Sequence, residues 1–273
     1  MPKSAVKRHY PTPALEKGLD ILELFASTPD GLTVSEVARH LNRTVSEIFR
    51  MLLCLEQRGY LAQSENGERY HLTLQLFRLA QEHPPTKRLI TEALPIMHST
   101  AYQLRQSCHL GVIDGGHVVI VAQVDSPEST GFYVKMGSKV DLMRAATGHV
   151  ILAHQRVDAY HRALDEWSIQ TKRRKPADLD AHLAKIRRRG FESRASYEVK
   201  GVVNISFPVL SAQGDAVAGI TVPYVKRIQD KIGIPDVVKV LHVAARQISE
   251  SLGATSAQEK PRLRRSTRDS RRA

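Results

Sequence analysis

The sequence predicts an α+β protein in two parts, in which three helices and a short hairpin precede an antiparallel sheet covered by helices. Two observations carry this prediction. Apolar residues recur at helical spacing through the first part of the chain, and from residue 108 onwards they alternate with a period of two. The length of 273 residues also favours two domains, because each half is large enough for its own core.

The composition is that of a soluble globular protein and argues against membrane and secreted proteins. Hydrophobic residues make up 42% of the chain, yet no apolar run approaches the roughly 18 residues of a membrane span. The N-terminus is basic but has no hydrophobic region, so we expect no secretory signal. The two cysteines, Cys54 and Cys108, are too few for a disulfide framework and fit a cytoplasmic protein.

The net charge of +12 would suit an anionic partner, but it is concentrated away from the predicted N-terminal helices. Residues 172–189 contribute +6 and residues 257–273 contribute +5, whereas residues 11–80 carry seven basic and nine acidic side chains. A solvated helix face and a solvated tail explain the excess equally well, so the charge supports nucleic-acid binding only loosely. We expect residues 1–11 to be a disordered arm and residues 254–273 a basic disordered tail.

Residues 33–61 contain two predicted helices separated by a tight polar turn. Thr33 caps the first helix, and Glu36, three residues later, completes a capping box. The polar residues 42–44 reverse the chain and cap the second helix, which Gly59 ends. This outline is that of a helix-turn-helix, although the same residues also fit a helical hairpin in an ordinary core.

The second of these helices has two faces. Its inward residues are predicted to be Val45, Ile48, Met51, Leu52 and Leu55, with Cys54 as a core thiol on the same side. Its exposed leading edge is predicted to be Ser46, Glu47, Phe49 and Arg50. A preceding helix should support the pair through the helically spaced residues Leu15, Leu19, Leu22 and Phe25, and should end at the turn formed by residues 29–31.

A hairpin follows this helix pair at once. Two short strands, residues 60–63 and 69–72, flank Asn66-Gly67, a strong hairpin signal. Three helices followed by a two-stranded wing make a winged helix-turn-helix, and a generic helical hairpin has no reason to carry a wing. The sequence therefore favours a DNA-reading domain.

The C-terminal half reads as a sheet with covering helices. Thr73 should cap a helix over residues 74–81, and residues 83–86 should break the chain before a long helix over residues 87–106 that Pro95 bends. Strands are expected at residues 109–113, 117–124, 202–210 and 216–223, with a weaker one at 132–135. Helices are expected at residues 145–154, 157–164, 179–189 and 235–252.

Several segments, in the same order, resemble the IclR family of bacterial transcriptional regulators. In the first half they are ALEKGLDILELFAS, GLTVSEVARHLN, LEQRGYL and GERYHLT. In the second half they are GVIDGGHVVIVAQVDSP, MGSKVDLMRAATGHVILA, IRRRGFE, GVVNISFPVL and GDAVAGITVPY. The resemblance implies a winged helix-turn-helix over residues 12–82, a linker helix over 83–107 and a GAF-like effector-binding domain over 108–253. It also implies a homodimer or tetramer that binds a near-palindromic DNA operator.

A dimer of such readers would place one helix in the major groove of each half-site. For the base edges we predict Ser46, Glu47, Phe49 and Arg50, with Arg50 on guanine, Glu47 on cytosine and Phe49 on a thymine methyl group. Alternatively, Glu47 and Arg50 form a surface pair and Phe49 packs against the wing. Thr33, Arg43 and Arg69 are better placed for phosphates, and Thr44 completes the predicted DNA-binding set.

The resemblance also implies an effector pocket between the sheet and the segment that precedes residue 149. Its predicted lining is Arg144, Ala145, Ala146, Thr147, Arg194, Asn204, Ser206 and Thr221. The sequence departs from the family pattern at Arg194, commonly acidic, Asn204, commonly cysteine, Pro223, commonly small and polar, and His149, commonly lysine. A pocket offering Arg194 and Asn204 suits a carboxylate, hence a small organic or aromatic acid, unless Arg194 points to solvent.

An enzyme is the main rival class. His149, His154 and His161 recur near helical spacing, but separations of five and seven do not form the face of a helical zinc pair. Cys108 and His109 lie on a strand, where neighbours face opposite sides. We therefore predict no catalytic residue, metal or cofactor and no membrane partner. A metal- or redox-sensing regulator, or a small-molecule enzyme, stays an alternative.

Overall fold

The computed structural model describes residues 11–64, 66–82, 84–228 and 231–255. The chain divides into two compact units, residues 1–84 and residues 85–273, which are described separately. The predicted tail, apart from residues 254 and 255, and the predicted arm, apart from residue 11, lie outside the described residues. No helix in the described ranges is both long enough and apolar enough to cross a membrane.

The first unit is a winged helix-turn-helix, as predicted. Its elements are α1 (Pro13–Ala26), α2 (Val34–His40), α3 (Val45–Gln57), β1 (Leu61–Gln63), β2 (Tyr70–Leu72) and α4 (Gln75–Glu82). The antiparallel strands β1 and β2 form the wing, and Gly67 in their connection has a φ of +72°, a left-handed conformation that glycine adopts without strain. Ile21, Phe25, Ile48 and Leu52 pack with Tyr70 of the wing in one buried core.

Both helices of the motif begin with the predicted caps. The Thr33 hydroxyl accepts a hydrogen bond from the Glu36 N–H at 3.2 Å, and the Glu36 carboxylate accepts one from the Thr33 N–H at 2.8 Å. Thr44 and Glu47 repeat this reciprocal arrangement at the start of α3. Each box gives partners to N–H groups that a helix start leaves unpaired, and so fixes where the helix begins.

Some predicted inward residues of this unit are exposed. Leu15 and Leu19 of α1 are 62% and 50% exposed, because α1 packs through its C-terminal half, where Ile21 and the predicted Phe25 are buried. Val45 is 52% exposed, since it opens the first turn of α3 before the helix reaches its neighbours, and the prediction was wrong there. The prediction of Cys54 as a core thiol was also wrong, because its side chain is exposed.

The second unit is a six-stranded antiparallel sheet between two helical layers. Its elements are α5 (Pro84–Leu104), β3 (Cys108–Asp114), β4 (His117–Val124), β5 (Lys139–Asp141), α6 (Ala146–Ala153), α7 (Val157–Thr171), α8 (Leu179–Arg189), β6 (Glu192–Ala195), β7 (Val202–Leu210), β8 (Ala216–Val225) and α9 (Ile234–Ser251). The strand order is β5-β4-β3-β8-β7-β6. α5 and α9 share one apolar core with the sheet, and α6, α7 and α8 share another.

Glycines let α6 lie very close to the sheet. A Cβ at Gly111 of β3 or Gly219 of β8 would lie 3.0 or 2.9 Å from the Cγ2 atom of Thr147. A Cβ at Gly148 would lie 2.5 Å from the carbonyl oxygen of Leu142. These contacts bring the N-terminus of α6 down onto the middle of the sheet.

The structure departs from the predicted elements at five places. α5 begins at Pro84, because proline is tolerated in a first turn, and it continues through Pro95. Residues 132–135 form no strand. The edge of β4 is instead taken by β5, which the sequence did not reveal. The polar edge strand β6 and the C-terminal half of α7 were also missed, since neither shows a clear apolar period.

Candidate functional site

The leading face of α3 is open. Ser46, Phe49 and Arg50 are exposed, and Phe49 retains 46% exposure. Arg50 makes no hydrogen bond or ion pair with any other described residue. The alternative pair of Glu47 with Arg50 does not form in this structure, because the cation beside Glu47 is a different residue, Lys17.

Glu47 is held by two elements. Its Oε1 atom accepts from the Lys17 Nζ atom of α1 at 2.6 Å, while Oε2 accepts from the Thr44 N–H at 3.2 Å and hydroxyl at 3.0 Å. The hydrogen bond from Lys17 and those from Thr44 lower the pKa of Glu47 to about 2. This carboxylate is therefore charged at neutral pH and engaged within the protein.

Three of the four residues predicted for phosphates or completing the DNA-binding set already have structural partners. Thr33 and Thr44 use their hydroxyls in the helix caps. Arg69 of the wing donates to the Gly31 carbonyl at 2.8 Å and to Glu36 at 3.2 Å, so it links the wing to α2. Arg43 is exposed, and its side chain makes no hydrogen bond or ion pair with the described part of the chain.

A cavity of about 50 Å³ lies between the sheet and the N-terminus of α6. Its apolar lining is Val118, Ile120, Phe132, Val134, Val140, Ala145 and Ala146. Its polar lining is His109, Thr147, Ser196, Tyr197, Glu198, Asn204 and Thr221. Among the described residues, no lysine or arginine lines it, and its single acidic lining residue is Glu198.

Five of the eight residues predicted for the effector line this cavity, namely Ala145, Ala146, Thr147, Asn204 and Thr221. Arg144, Arg194 and Ser206 do not. The Arg144 guanidinium carbon lies 4.1 Å from the ring centre of Tyr197. Arg194 pairs with Asn204 in the strand register, but its Nη1 atom lies 3.0 Å from His149 Nδ1. Neither predicted arginine lines the pocket in this structure, so the predicted contact of Arg194 with a carboxylate ligand is not supported.

The floor of the cavity is a row of buried polar groups. The Thr221 hydroxyl is hydrogen-bonded to Ser206 at 2.6 Å and to Thr147 at 2.7 Å. His109, opposite Thr221 in the strand register, was missed by sequence reasoning, although strand pairing could have found it. Its Nδ1 atom is buried without a hydrogen-bond partner in the described residues. Burial lowers the pKa of His109 to about 4, so the ring is neutral at physiological pH.

The N-terminus of α6 opens into the same cavity. Ala145 occupies the N-cap position and has no polar side chain to cap the helix. The first N–H groups of a helix have no partner within it, and they carry the positive end of its dipole. Together with His109, they give the cavity donors suited to a small anionic ligand beside an apolar wall.

A second polar cluster combines His149, His182 and Glu192, whose ligand-type atoms lie within 4.8 Å of one another. His182 Nε2 is hydrogen-bonded to Glu192 at 2.5 Å, Arg189 donates to Glu192 at 3.0 Å, and Arg194 occupies His149 Nδ1. Burial opposes ionisation of Glu192, but the neighbouring imidazole of His149 and the hydrogen-bonded imidazole of His182 lower its pKa to about 2. Two guanidinium groups at this cluster repel a metal cation, so its contacts favour a structural ion network.

The chain resembles known proteins over both units. Residues 14–65 match the family model described as the IclR helix-turn-helix domain, and residues 85–250 match that of the bacterial transcriptional regulator IclR C-terminal region. The regulator KdgR of Escherichia coli is 27% identical over 224 residues, which cover 81% of this chain and 85% of that protein. BhcR of Paracoccus denitrificans is 28% identical over 213 residues, or 77% and 76% of the two chains.

Solved structures share the fold. The IclR protein of Thermotoga maritima superposes with a TM-score of 0.69 at 26% identity, covering 88% of this chain and 98% of that one. An IclR homologue of Microbacterium hydrocarbonoxydans, solved with 4-hydroxybenzoate, gives a TM-score of 0.70 at 21% identity and the same coverage. The second match bears on the fold alone.

Proposed function

This chain belongs to the IclR family of bacterial DNA-binding transcriptional regulators, and from that premise we propose which residues read DNA and what its cavity binds. The observation that carries the proposal is the open leading face of α3 beside the wing. The regulator acts in the cytoplasm, where α3 enters the major groove and a small acid in the cavity controls operator binding.

The base contacts come from Ser46, Phe49 and Arg50. A guanidinium can donate two hydrogen bonds to guanine, and a phenyl ring can contact the methyl group of thymine. Arg43 is the phosphate contact that the structure leaves free, whereas Arg69 acts by holding the wing. Because the first unit carries no net positive charge, binding rests on these placed side chains more than on a general basic field.

The protein binds as a homodimer or a tetramer, because one helix reads too few bases for a specific site. Apolar side chains on the first unit support this assembly. Leu15 and Leu19 of α1 and Phe77 of α4, with Leu74 just before it, are each at least half exposed. Leu15 and Leu19, four residues apart, share one face of α1, and neighbouring exposed apolar side chains commonly mark contacts between chains. Analytical ultracentrifugation at micromolar concentration should give a dimer or tetramer, and a monomer would contradict this assembly.

Selection from random double-stranded DNA tests the proposed DNA contacts of the first unit. The wild-type protein should enrich an approximate palindrome. Arg50→Ala should weaken binding to it by about 1–3 kcal/mol and relax selection at one position of each half-site. Arg43→Ala should weaken binding to all sequences alike, and it should lower the slope of log affinity against log salt concentration by about 0.9. Arg58→Ala, at the exposed C-terminal end of α3, is the charge-matched control, and failure of the wild type to enrich any sequence would refute the proposal.

The effector is a small organic acid whose carboxylate sits at the open N-terminus of α6. Two features support this site: the N–H donors of the first helical turn, which no side chain caps, and the unpaired Nδ1 atom of His109. The volume of the cavity limits the size of the ligand that it can hold. A cavity of about 50 Å³ is far smaller than the roughly 150 Å³ cavity that accepts benzene. A short aliphatic acid therefore fits the cavity as it stands, and an aromatic acid requires it to widen.

Calorimetry with short aliphatic and aromatic carboxylates tests the cavity, with each acid compared with its uncharged amide. Binding of the acid alone is expected, because only a charged group gains from the helix N-terminus. His109→Leu should weaken binding about tenfold through loss of a polar partner. Arg194→Ala is the matched control outside the cavity and should bind as the wild type does. If the acid and its amide bind equally, or if only Arg194→Ala loses affinity, the carboxylate does not bind at the N-terminus of α6.

A further inference from the structure

An acidic side chain in the first turn of a DNA-reading helix is an unfavourable placement, since the N-terminal residues of that helix approach the bases and phosphates most closely. Glu47 occupies this place in α3. We propose that Lys17 of α1 is a positioning residue for DNA recognition, which neutralises Glu47 and keeps its carboxylate from the bases. This inference rests on the proposed role of α3 as the reading helix.

The geometry holds the carboxylate at both oxygens. Lys17 Nζ lies 2.6 Å from Oε1, and the N–H and hydroxyl of Thr44 donate to Oε2. The side chain of Lys17 is only 18% exposed and that of Glu47 33%, so the pair lies partly within the packing of α1 against α3. Turning Glu47 towards a base would break the ion pair and the capping box together.

The charges of the first unit make this neutralisation consequential. Lys17 is the single lysine among residues 11–80, and acidic side chains there outnumber basic ones by nine to seven. Without Lys17, Glu47 would present an unpaired negative charge beside the DNA phosphates. A released carboxylate can also accept a hydrogen bond from the amino group of cytosine, so its release would change sequence preference as well as affinity.

A double-mutant cycle on the duplex selected by the wild-type protein tests this role. Glutamine also supports a capping box, so Glu47→Gln removes the charge while keeping the cap. Lys17→Met should weaken binding about 5- to 20-fold, whereas Glu47→Gln should bind within about twofold of wild type. Lys17→Met with Glu47→Gln should recover the affinity of Glu47→Gln. Renewed selection with Lys17→Met should add a cytosine preference in each half-site.

The cycle separates this role from a direct one. If Lys17 contacts a phosphate, its loss weakens binding equally in the Glu47→Gln background, and that result overturns the inference. Arg58→Met removes one positive charge from the same unit without touching Glu47, and it should bind as wild type does. Circular dichroism of each variant checks that α3 is folded. If the wild-type protein enriches no sequence, the proposed function and this inference are both overturned. If the wild type enriches a sequence and Lys17→Met binds it with unchanged affinity, this inference alone is overturned.

Discussion

Thr147 of α6 and Thr221 of β8 are joined by a hydrogen bond of 2.7 Å between their hydroxyl oxygens, across 74 positions of sequence. Ser206 of β7 extends this row, and all three side chains are buried. The row fastens the start of α6 to the sheet at the floor of the cavity. The stability of the second unit and the shape of the cavity therefore depend on the same three hydroxyl groups.

Thr221→Val tests this coupling. Valine keeps the shape of threonine but leaves the hydroxyls of Thr147 and Ser206 without their shared partner, at a cost of about 1–3 kcal/mol. Urea unfolding followed by the fluorescence of Trp167 measures the effect, because this is the single tryptophan and lies in α7 of the second unit. The exposed Thr130→Val is the matched control. An unchanged urea midpoint for Thr221→Val would show that the row contributes nothing.

The two cysteines should differ sharply in reactivity. Cys54 is exposed on α3, whereas Cys108 is buried at the start of β3, where burial raises the pKa of its thiol to about 12. The thiolate is the reactive species, so Cys108 is protected by both burial and protonation. Iodoacetamide at neutral pH should label Cys54 alone, as peptide mass spectrometry can verify. Labelling of Cys108 before the protein unfolds would contradict its position.

Acid should destabilise the second unit through Glu192. Its folded pKa of about 2 is below the ordinary value of 4.5, so its contribution is complete above about pH 4.5. That contribution is lost as the pH falls from 4.5 towards 2, because the unfolded chain then binds the proton more strongly. Glu192→Gln should lower stability at pH 7 by about 1–3 kcal/mol and flatten the pH profile in this window.

Glu250→Gln is the control for the acid experiment, because its carboxylate forms an exposed pair with Arg246 at 3.6 Å. Pairs of this kind contribute little to stability. Its urea midpoint at pH 7 should stay close to that of the wild type. If Glu192→Gln and Glu250→Gln show the same dependence of stability on pH between 4.5 and 2, the ion network around Glu192 does not contribute to acid sensitivity.

Gly148→Ala tests the close approach of α6 to the preceding loop. The added methyl group would meet the Leu142 carbonyl oxygen at 2.5 Å, a backbone atom that cannot turn aside. Alanine normally favours a helix, yet here overpacking should cost about 1–3 kcal/mol. The Trp167 unfolding transition reports this loss. A stability equal to wild type would mean that the start of α6 shifts freely.

Sequence reasoning succeeded where the deciding contacts are local. The boxes of Thr33 with Glu36 and of Thr44 with Glu47 each span three residues, and their chemistry is visible in the sequence. It failed at Cys54, which is exposed, because helical spacing defines a stripe but not which edge of it a neighbouring helix covers. It also assigned Arg194 to the ligand, whereas the side chain contacts His149, 45 positions away.

By itself, the sequence determined the winged helix-turn-helix, the hairpin of β3 and β4 and the antiparallel character of the second unit. Caps, turn glycines and apolar periods specify these features through hydrogen bonds and burial within a few residues. The tertiary structure alone decided that Lys17 restrains Glu47 and that His109 joins the cavity at the start of α6. Such contacts depend on how whole elements pack, and no local pattern encodes them.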